Sequence, residues 1–282
     1  MNNSAFRMFQ GEEHRAFSLE GQQGAALLVH GFPGTPAEMR PLAAVLNQAG
    51  WTTRGILLPG FGAEIETLGS RTPVDWVESV RLAALDLQRD HSPLLLIGNS
   101  MGAALCLQVV AHNADLHPAG LILLSPFWRV GHVLWRMLPV LRFVFPQIRP
   151  FGLVKMDFSD PQVRKGVHNF MPDVDLDDVK VQQALRAFSI PTKLLNHIRT
   201  VGHAAHRFAP QITCPTLIVQ GTDDELVSPK MTRTLMQRFA VAPRYVEVRG
   251  SHDVVNPKAA SWPAVERAVL GFANGIQHEA ER

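Results

Sequence analysis

Six short runs spaced along the chain set the first constraint on its fold. They are Ala25-Ala26-Leu27-Leu28-Val29, Gly55-Ile56-Leu57-Leu58, Leu94-Leu95-Leu96-Ile97, Leu121-Ile122-Leu123-Leu124, Thr216-Leu217-Ile218-Val219 and Arg244-Tyr245-Val246-Glu247-Val248. Most lack the polar alternation of a half-solvated sheet, so they predict strands buried on both faces, as in a parallel sheet covered by helices. Helical patterns fill the gaps. Thr72-Pro73-Val74-Asp75 reads as an N-cap, a proline at the first helical position and an acid in the first turn. Val77, Val80, Ala84 and Leu87 then share one helical face. Thr35-Pro36-Ala37-Glu38 resembles a capping box, with the main helix there running from near Pro41 to Gly50. Strand alternating with helix predicts an α/β fold with a mostly parallel sheet flanked by helices.

The alternation breaks between Phe127 and Pro210, where helical periodicity and prolines prevail. The expected organisation is one α/β core made of residues 1–126 and 211–282, with residues 127–210 as an inserted helical cap. The first part of the insertion is basic, with Arg129, Arg136, Arg142, Arg149 and Lys155 and no acid; Asp157, Asp160, Asp173, Asp175, Asp177 and Asp178 then reverse the sign.

A length of 282 residues suffices for a large buried core. The formal charge of +2 gives no basic footprint for nucleic acid. Cys106 and Cys214 do not make a disulfide framework and are expected to be buried and reduced. Residues 1–19 lack a signal-peptide apolar block, and no apolar run reaches the ~18 residues of a membrane span, so a cytoplasmic location is expected.

Gly98-Asn99-Ser100-Met101-Gly102 follows the third run directly and opens onto Ala103-Ala104-Leu105-Cys106-Leu107, a good helix former. G-x-S-x-G in that context places a serine on a sharp strand-to-helix turn with its oxygen raised above the sheet. Ser100 is therefore the candidate nucleophile. A carbonyl under attack develops negative charge and needs preformed N–H donors. The amide of Met101 is one candidate; the other, in the loop His30-Gly31-Phe32-Pro33-Gly34, is the amide of Phe32, since Pro33 has none. His30 is expected to stabilise that loop rather than act as a base. An acid and a base should follow the serine in the chain. Gln220-Gly221-Thr222-Asp223-Asp224-Glu225 offers carboxylates just past a strand end, with Asp223 and Asp224 the candidates and Asp224 preferred. His252, in Gly250-Ser251-His252-Asp253 after the last run, is the candidate base, as imidazole titrates near neutrality. His197, His203 and His206 do not have zinc-site spacing and are expected to be surface or pocket residues.

Together these residues resemble the α/β-hydrolases of the bacterial carboxylesterase and monoacylglycerol lipase group. The likeness covers His30 to Gly34, Leu58-Pro59-Gly60-Phe61-Gly62, Asp75-Trp76, Gly98 to Gly102, Gly221 to Pro229 and Gly250-Ser251-His252, about residues 24–126 and 211–272. It implies Ser100 as nucleophile, Asp224 as acid, His252 as base, the Phe32 and Met101 amides as oxyanion hole, and a helical cap over an acyl pocket. The Asp-Glu-Leu-Val-Ser-Pro run is what singles out Asp224 over Asp223. Phe61 stands where relatives often carry histidine, in a loop expected to help shape the entrance.

The activity implied is carboxylic-ester hydrolysis with no metal or organic cofactor. The partner is a small-molecule ester, with Phe127, Trp128 and Val254 as candidate pocket residues. Acyl transfer, thioester hydrolysis, carbon–carbon hydrolysis and a non-catalytic ligand receptor are alternatives on the same scaffold. The insertion is rich in Trp135, Met137, Leu138, Val140, Phe143 and Phe145, expected to line a pocket or pack on the core, with contact to a lipid surface as the second reading.

Overall fold

A computed structural model of the chain describes residues 9–131, 133–148, 157–161, 163–164, 167, 175–187 and 189–280. Arg149, Lys155 and Asp173 of the charge pattern lie outside the described residues. The core is a seven-stranded sheet. In chain order its strands are β1 (Phe17–Leu19), β2 (Ala25–Val29), β3 (Thr52–Ile56), β4 (Leu94–Asn99), β5 (Gly120–Leu124), β8 (Thr216–Gly221) and β9 (Arg244–Val248). In space they run β1-β3-β2-β4-β5-β8-β9, with β1 antiparallel to β3 and every other pairing parallel. Two further strands, β6 (Gln147–Ile148) and β7 (Ile190–Pro191), pair antiparallel within the inserted region.

The helices are α1 (Arg40–Gln48), α2 (Pro73–Asp90), α3 (Met101–His112), α4 (Val133–Val144), α5 (Val179–Ala187), α6 (Thr192–Phe208), α7 (Pro229–Met236) and α8 (Trp262–Ala280). Alternate residues of the central strands feed two cores. Leu27, Leu94, Leu96 and Leu123 join Trp76, Val80 and Ala84 of α2, Leu105 and Val109 of α3, and Leu194, Ile198 and Val201 of α6. Leu28, Leu95, Ile97 and Leu124 join Leu42 and Leu46 of α1 and Val265, Val269 and Ala273 of α8. Each fully buried Leu or Ile contributes about 1.5–3 kcal/mol relative to exposure. This double burial is the reason the strand sequences show no polar alternation.

The expected elements need four corrections. The second run forms a strand over Thr52–Ile56 rather than residues 55–58, because Leu57 and Leu58 have already turned away and the Leu58 amide donates to His30 Nε2 at 3.1 Å. The edge strand β1 carried no readable signal, being three residues long and only partly buried. The residues Thr35 to Glu38 do not form a capping box. Pro36–Met39 is a 3₁₀ turn capped by Thr35, whose hydroxyl accepts from the Ala37 amide, and Glu38 is committed elsewhere. α1 ends at Gln48, and Gly50, at φ +93°, makes the turn that follows. The box at Thr72 is formed: its amide and hydroxyl both donate to Asp75, at 2.7 and 2.9 Å. Cys106 and Cys214 are free thiols. Cys106 is fully buried, but Cys214 is only partly so.

Between β5 and β8 the chain forms the inserted helical region. α6 closes it by packing along α3, where the Gln108 side chain donates to the Val201 carbonyl at 3.0 Å. No helix of the described residues is long and apolar enough to cross a membrane.

Candidate active site

The site sits at the carboxyl ends of β2, β4 and β8 and in the loop after β9, where an open parallel sheet leaves its crevice. β4 ends at Asn99, and α3 begins at Met101, so Ser100 alone makes the turn. Its backbone adopts φ +50°, ψ −111°, a conformation that costs a non-glycine residue about 1–3 kcal/mol. The surroundings hold it there. The Ser100 amide donates to the Leu124 carbonyl at 2.8 Å, and its own carbonyl accepts from Phe127 at 3.1 Å. The flanking glycines are required by space. A Cβ on Gly98 would lie 2.4 Å from backbone atoms of Gly102 and Ala103, and one on Gly102 would lie 2.2 Å from the Val29 carbonyl oxygen.

His252 and Asp224 reach Ser100 from two later loops. Ser100 Oγ lies 2.8 Å from His252 Nε2, and His252 Nδ1 lies 2.7 Å from Asp224 Oδ2. A carboxylate can only accept, so Nδ1 carries the proton, Nε2 is free to accept, and the Ser100 hydroxyl donates to it. Asp224 is buried to 3% exposure. Its Oδ1 accepts from the amides of Leu226 and Val227 at 2.9 and 2.8 Å, and its Oδ2 accepts from the Gln220 side chain at 2.8 Å. Asp223, the other candidate, is exposed, and its amide is tied to the Gly250 carbonyl.

The loop after β2 runs beside the serine. A Cβ on Gly31 would come within 3.1 Å of Ser100 Cβ and 3.2 Å of the Asn99 carbonyl oxygen, so the two segments approach closely there. His30 is completely buried, donating from Nδ1 to the Gly31 carbonyl at 2.9 Å and accepting the Leu58 amide at Nε2. Burial lowers its pKa to about 4, and the neutral ring satisfies both neighbours. It stabilises the loop, as expected. Phe61 is wholly buried, edge-on to His30, Phe32 and Trp76 at centroid distances of 5.0, 6.1 and 6.0 Å. It therefore supports the loop from beneath and is not part of the entrance surface. Met101 opens α3, where first-turn amides have no acceptor within the helix.

A family model for serine aminopeptidases of the S33 type matches residues 21–258, spanning both halves of the sheet and the insertion. The chain belongs to this family. Among its relatives, a thermostable monoacylglycerol lipase from Bacillus sp. (strain H-257) is 27% identical over 263 residues, covering 91% of this chain and 93% of that protein. A monoglyceride lipase from Rattus norvegicus is 30% identical over 196 residues, 67% of this chain and 60% of that protein. The solved monoacylglycerol lipase of Paleococcus ferrophilus superposes with a TM-score of 0.68 at 18% identity, covering 93% of this chain and 98% of that one. The chain is thus an α/β-hydrolase of the lipase and esterase type, as the sequence resemblance implied.

Of the expected pocket residues in this family member, Phe127 adjoins the elbow, its amide donating to the Ser100 carbonyl, and Trp128 follows it in the chain. The Phe127 ring is edge-on to Trp135 at 5.8 Å. Trp128 stacks on His206 at 4.6 Å and donates from Nε1 to the Met231 carbonyl at 3.0 Å. Val254 is fully buried in the core on the α1 and α8 side of the sheet. His203 is exposed, and His197 donates from Nδ1 to the Arg71 carbonyl at 3.1 Å. Among the described residues, no group of three or more His, Cys, Asp and Glu is placed to hold a metal ion.

Sequence reasoning missed Glu38, Asn99 and Gln220. Glu38 Oε1 accepts the Gly31 amide at 2.6 Å and the Asn99 side-chain amide at 2.9 Å. Burial raises its carboxyl pKa, partly offset by those two hydrogen bonds, while the Asp253 charge pushes it further up. Gln220, buried on β8, also accepts from the Thr232 hydroxyl at 2.6 Å, which fixes its amide for Asp224. Only the position of Gln220, four residues before Asp224, was a possible signal.

Proposed function

We propose that the chain hydrolyses carboxylic esters through an acyl-enzyme on Ser100. The observation that carries this is the unbroken hydrogen-bond line from Ser100 Oγ through His252 to buried Asp224, at 2.8 and 2.7 Å, set on a strained turn. In this reading Ser100 attacks the acyl carbon as its proton passes to His252 Nε2. Asp224 holds the ring's tautomer and stabilises the cation that forms. The amides of Phe32 and Met101 receive the oxyanion. The alcohol departs with the proton from His252, and water repeats the sequence to release the acid.

Residues 127–210 act in this proposal as a cap over the acyl pocket. Monoesters with an apolar acyl chain are the preferred substrates, a reading supported by the relatives named as monoacylglycerol lipases and by the apolar insertion. Trp135 and Leu138 of α4 turn inward, whereas Met137, Val140 and Val144 are exposed along with Phe145 just beyond it, a face suited to aggregated lipid.

An acyl-length series of p-nitrophenyl esters tests the reading, together with labelling by a fluorophosphonate. Hydrolysis is expected, with labelling lost in Ser100→Ala and retained in Ser251→Ala. No hydrolysis at any acyl length, or labelling that survives Ser100→Ala, sinks the proposal.

A further inference from the structure

The two amides assigned to the oxyanion lie on separate pieces of chain. Phe32 is in the loop after β2, and Met101 is at the start of α3. A preorganised pair works only if its separation is held to roughly 0.5 Å. Sheet pairing ends before either residue, with Val29 opposite Gly98 as the last β2–β4 partners. Some other contact must fix the loop against the turn.

Glu38 makes that contact. One carboxylate oxygen, Oε1, receives the amide of Gly31, immediately before Phe32, and the side chain of Asn99, immediately before Ser100. Its other oxygen lies against the loop: a Cβ on Gly34 would fall 2.0 Å from Oε2. The loop is therefore wrapped around the carboxyl group, whose Oε1 accepts from both sides of the clamp. Glu38 is 61 residues from Asn99 in the chain, so the clamp spans two elements with no local connection.

We infer that Glu38 is a positioning residue that sets the distance between the Phe32 and Met101 amides, acting through Gly31 and Asn99. The inference rests on the ester-hydrolase reading above. What matters in it is an acceptor oxygen at this point, and glutamine supplies one without the charge.

The test compares Glu38→Ala, Glu38→Gln and Asn99→Ala on a p-nitrophenyl ester, scored per mole of folded protein. Losing the clamp should lower kcat in Glu38→Ala by roughly 30- to 100-fold with KM changed less than about threefold, as expected for a misplaced transition-state donor. Glu38→Gln should recover to within about threefold of wild type, since its amide oxygen can accept the Gly31 proton. Asn99→Ala, which keeps Glu38 on Gly31 but cuts the link to the turn, should lose roughly fivefold to tenfold in kcat and serves if Glu38→Ala does not fold. Variants of lower thermal stability but unchanged kcat would overturn the inference, as would a Glu38→Gln as impaired as the alanine. A wild type that neither hydrolyses esters nor labels at Ser100 defeats the ester-hydrolase reading instead, a result visible before any variant is made.

Discussion

Two loops bracket Ser100, and they hold their polar groups in opposite ways. The loop after β8 holds its carboxylate mainly through near neighbours. Besides His252, Asp224 takes its donors from Leu226, Val227 and Gln220, all within four residues along the chain, and Gln220 is locked by the Val227 carbonyl and Thr232. The loop after β2 is held from a distance. His30 binds Leu58, and Glu38 binds Asn99. A carboxylate fixed by neighbours in sequence keeps its geometry wherever its strand ends. One fixed by other strands keeps it only while the sheet is intact. In the proposed mechanism the first loop orients the base, and the second shapes the surface on which charge develops.

The contrast is broken most directly at Asp224. Asp224→Asn should lower kcat by roughly 10³- to 10⁴-fold with little change in KM, because the amide favours the wrong imidazole tautomer. A loss no larger than that in Glu38→Ala would erase the distinction between the two carboxylates. Steady-state kinetics on a soluble ester decide it.

A pH test sharpens the other side. The pKa of His30 is about 4 in the fold, against an ordinary 6.5, so the unfolded chain takes up the proton first. The stabilisation from neutral His30 is complete above about pH 6.5 and is lost as pH falls towards 4, by roughly 3 kcal/mol at the limit. Urea unfolding between pH 7 and pH 4 should show a steeper decline for wild type than for His30→Gln. Parallel slopes would mean that the loop does not depend on this ring.

A smaller effect is expected at Gln220. Gln220→Met leaves the Thr232 hydroxyl without its acceptor and Asp224 without one donor, so stability should fall by about 1–3 kcal/mol. Activity should fall no more than about tenfold, because Leu226 and Val227 still hold the carboxylate. Chemical denaturation beside a rate assay reads both; a larger kinetic loss than stability loss would show the local loop to be less self-sufficient than its hydrogen bonds imply.

The same division explains which parts were legible in the sequence. β2, β4, β5 and β8 stood out because strands buried on both faces show no polar alternation, while β9, at the sheet edge, is only partly buried; all five match the expected runs to within two residues. β1 did not, since an edge strand of three residues buries too little to leave a pattern. Thr35 to Glu38 and Thr72 to Asp75 have the same letters of a cap followed three residues later by an acid. Only the second became a box. Asp75 is exposed with no competing donor, whereas Glu38 is within reach of the Gly31 amide and Asn99.

By itself the sequence determined the layered α/β architecture, the strained turn at Ser100, and the order of serine, acid and base, because periodicity, glycine spacing and turn chemistry act between near neighbours. The family resemblance of the run that follows Asp224 favoured it over Asp223. Tertiary structure alone decided that Asp224 would be buried against His252, that Phe61 would sink beneath the loop after β2, and that the Glu38 side chain would join that loop to the turn at Ser100. Those outcomes depend on which distant donors meet an acceptor once water is excluded, and no local pattern records that.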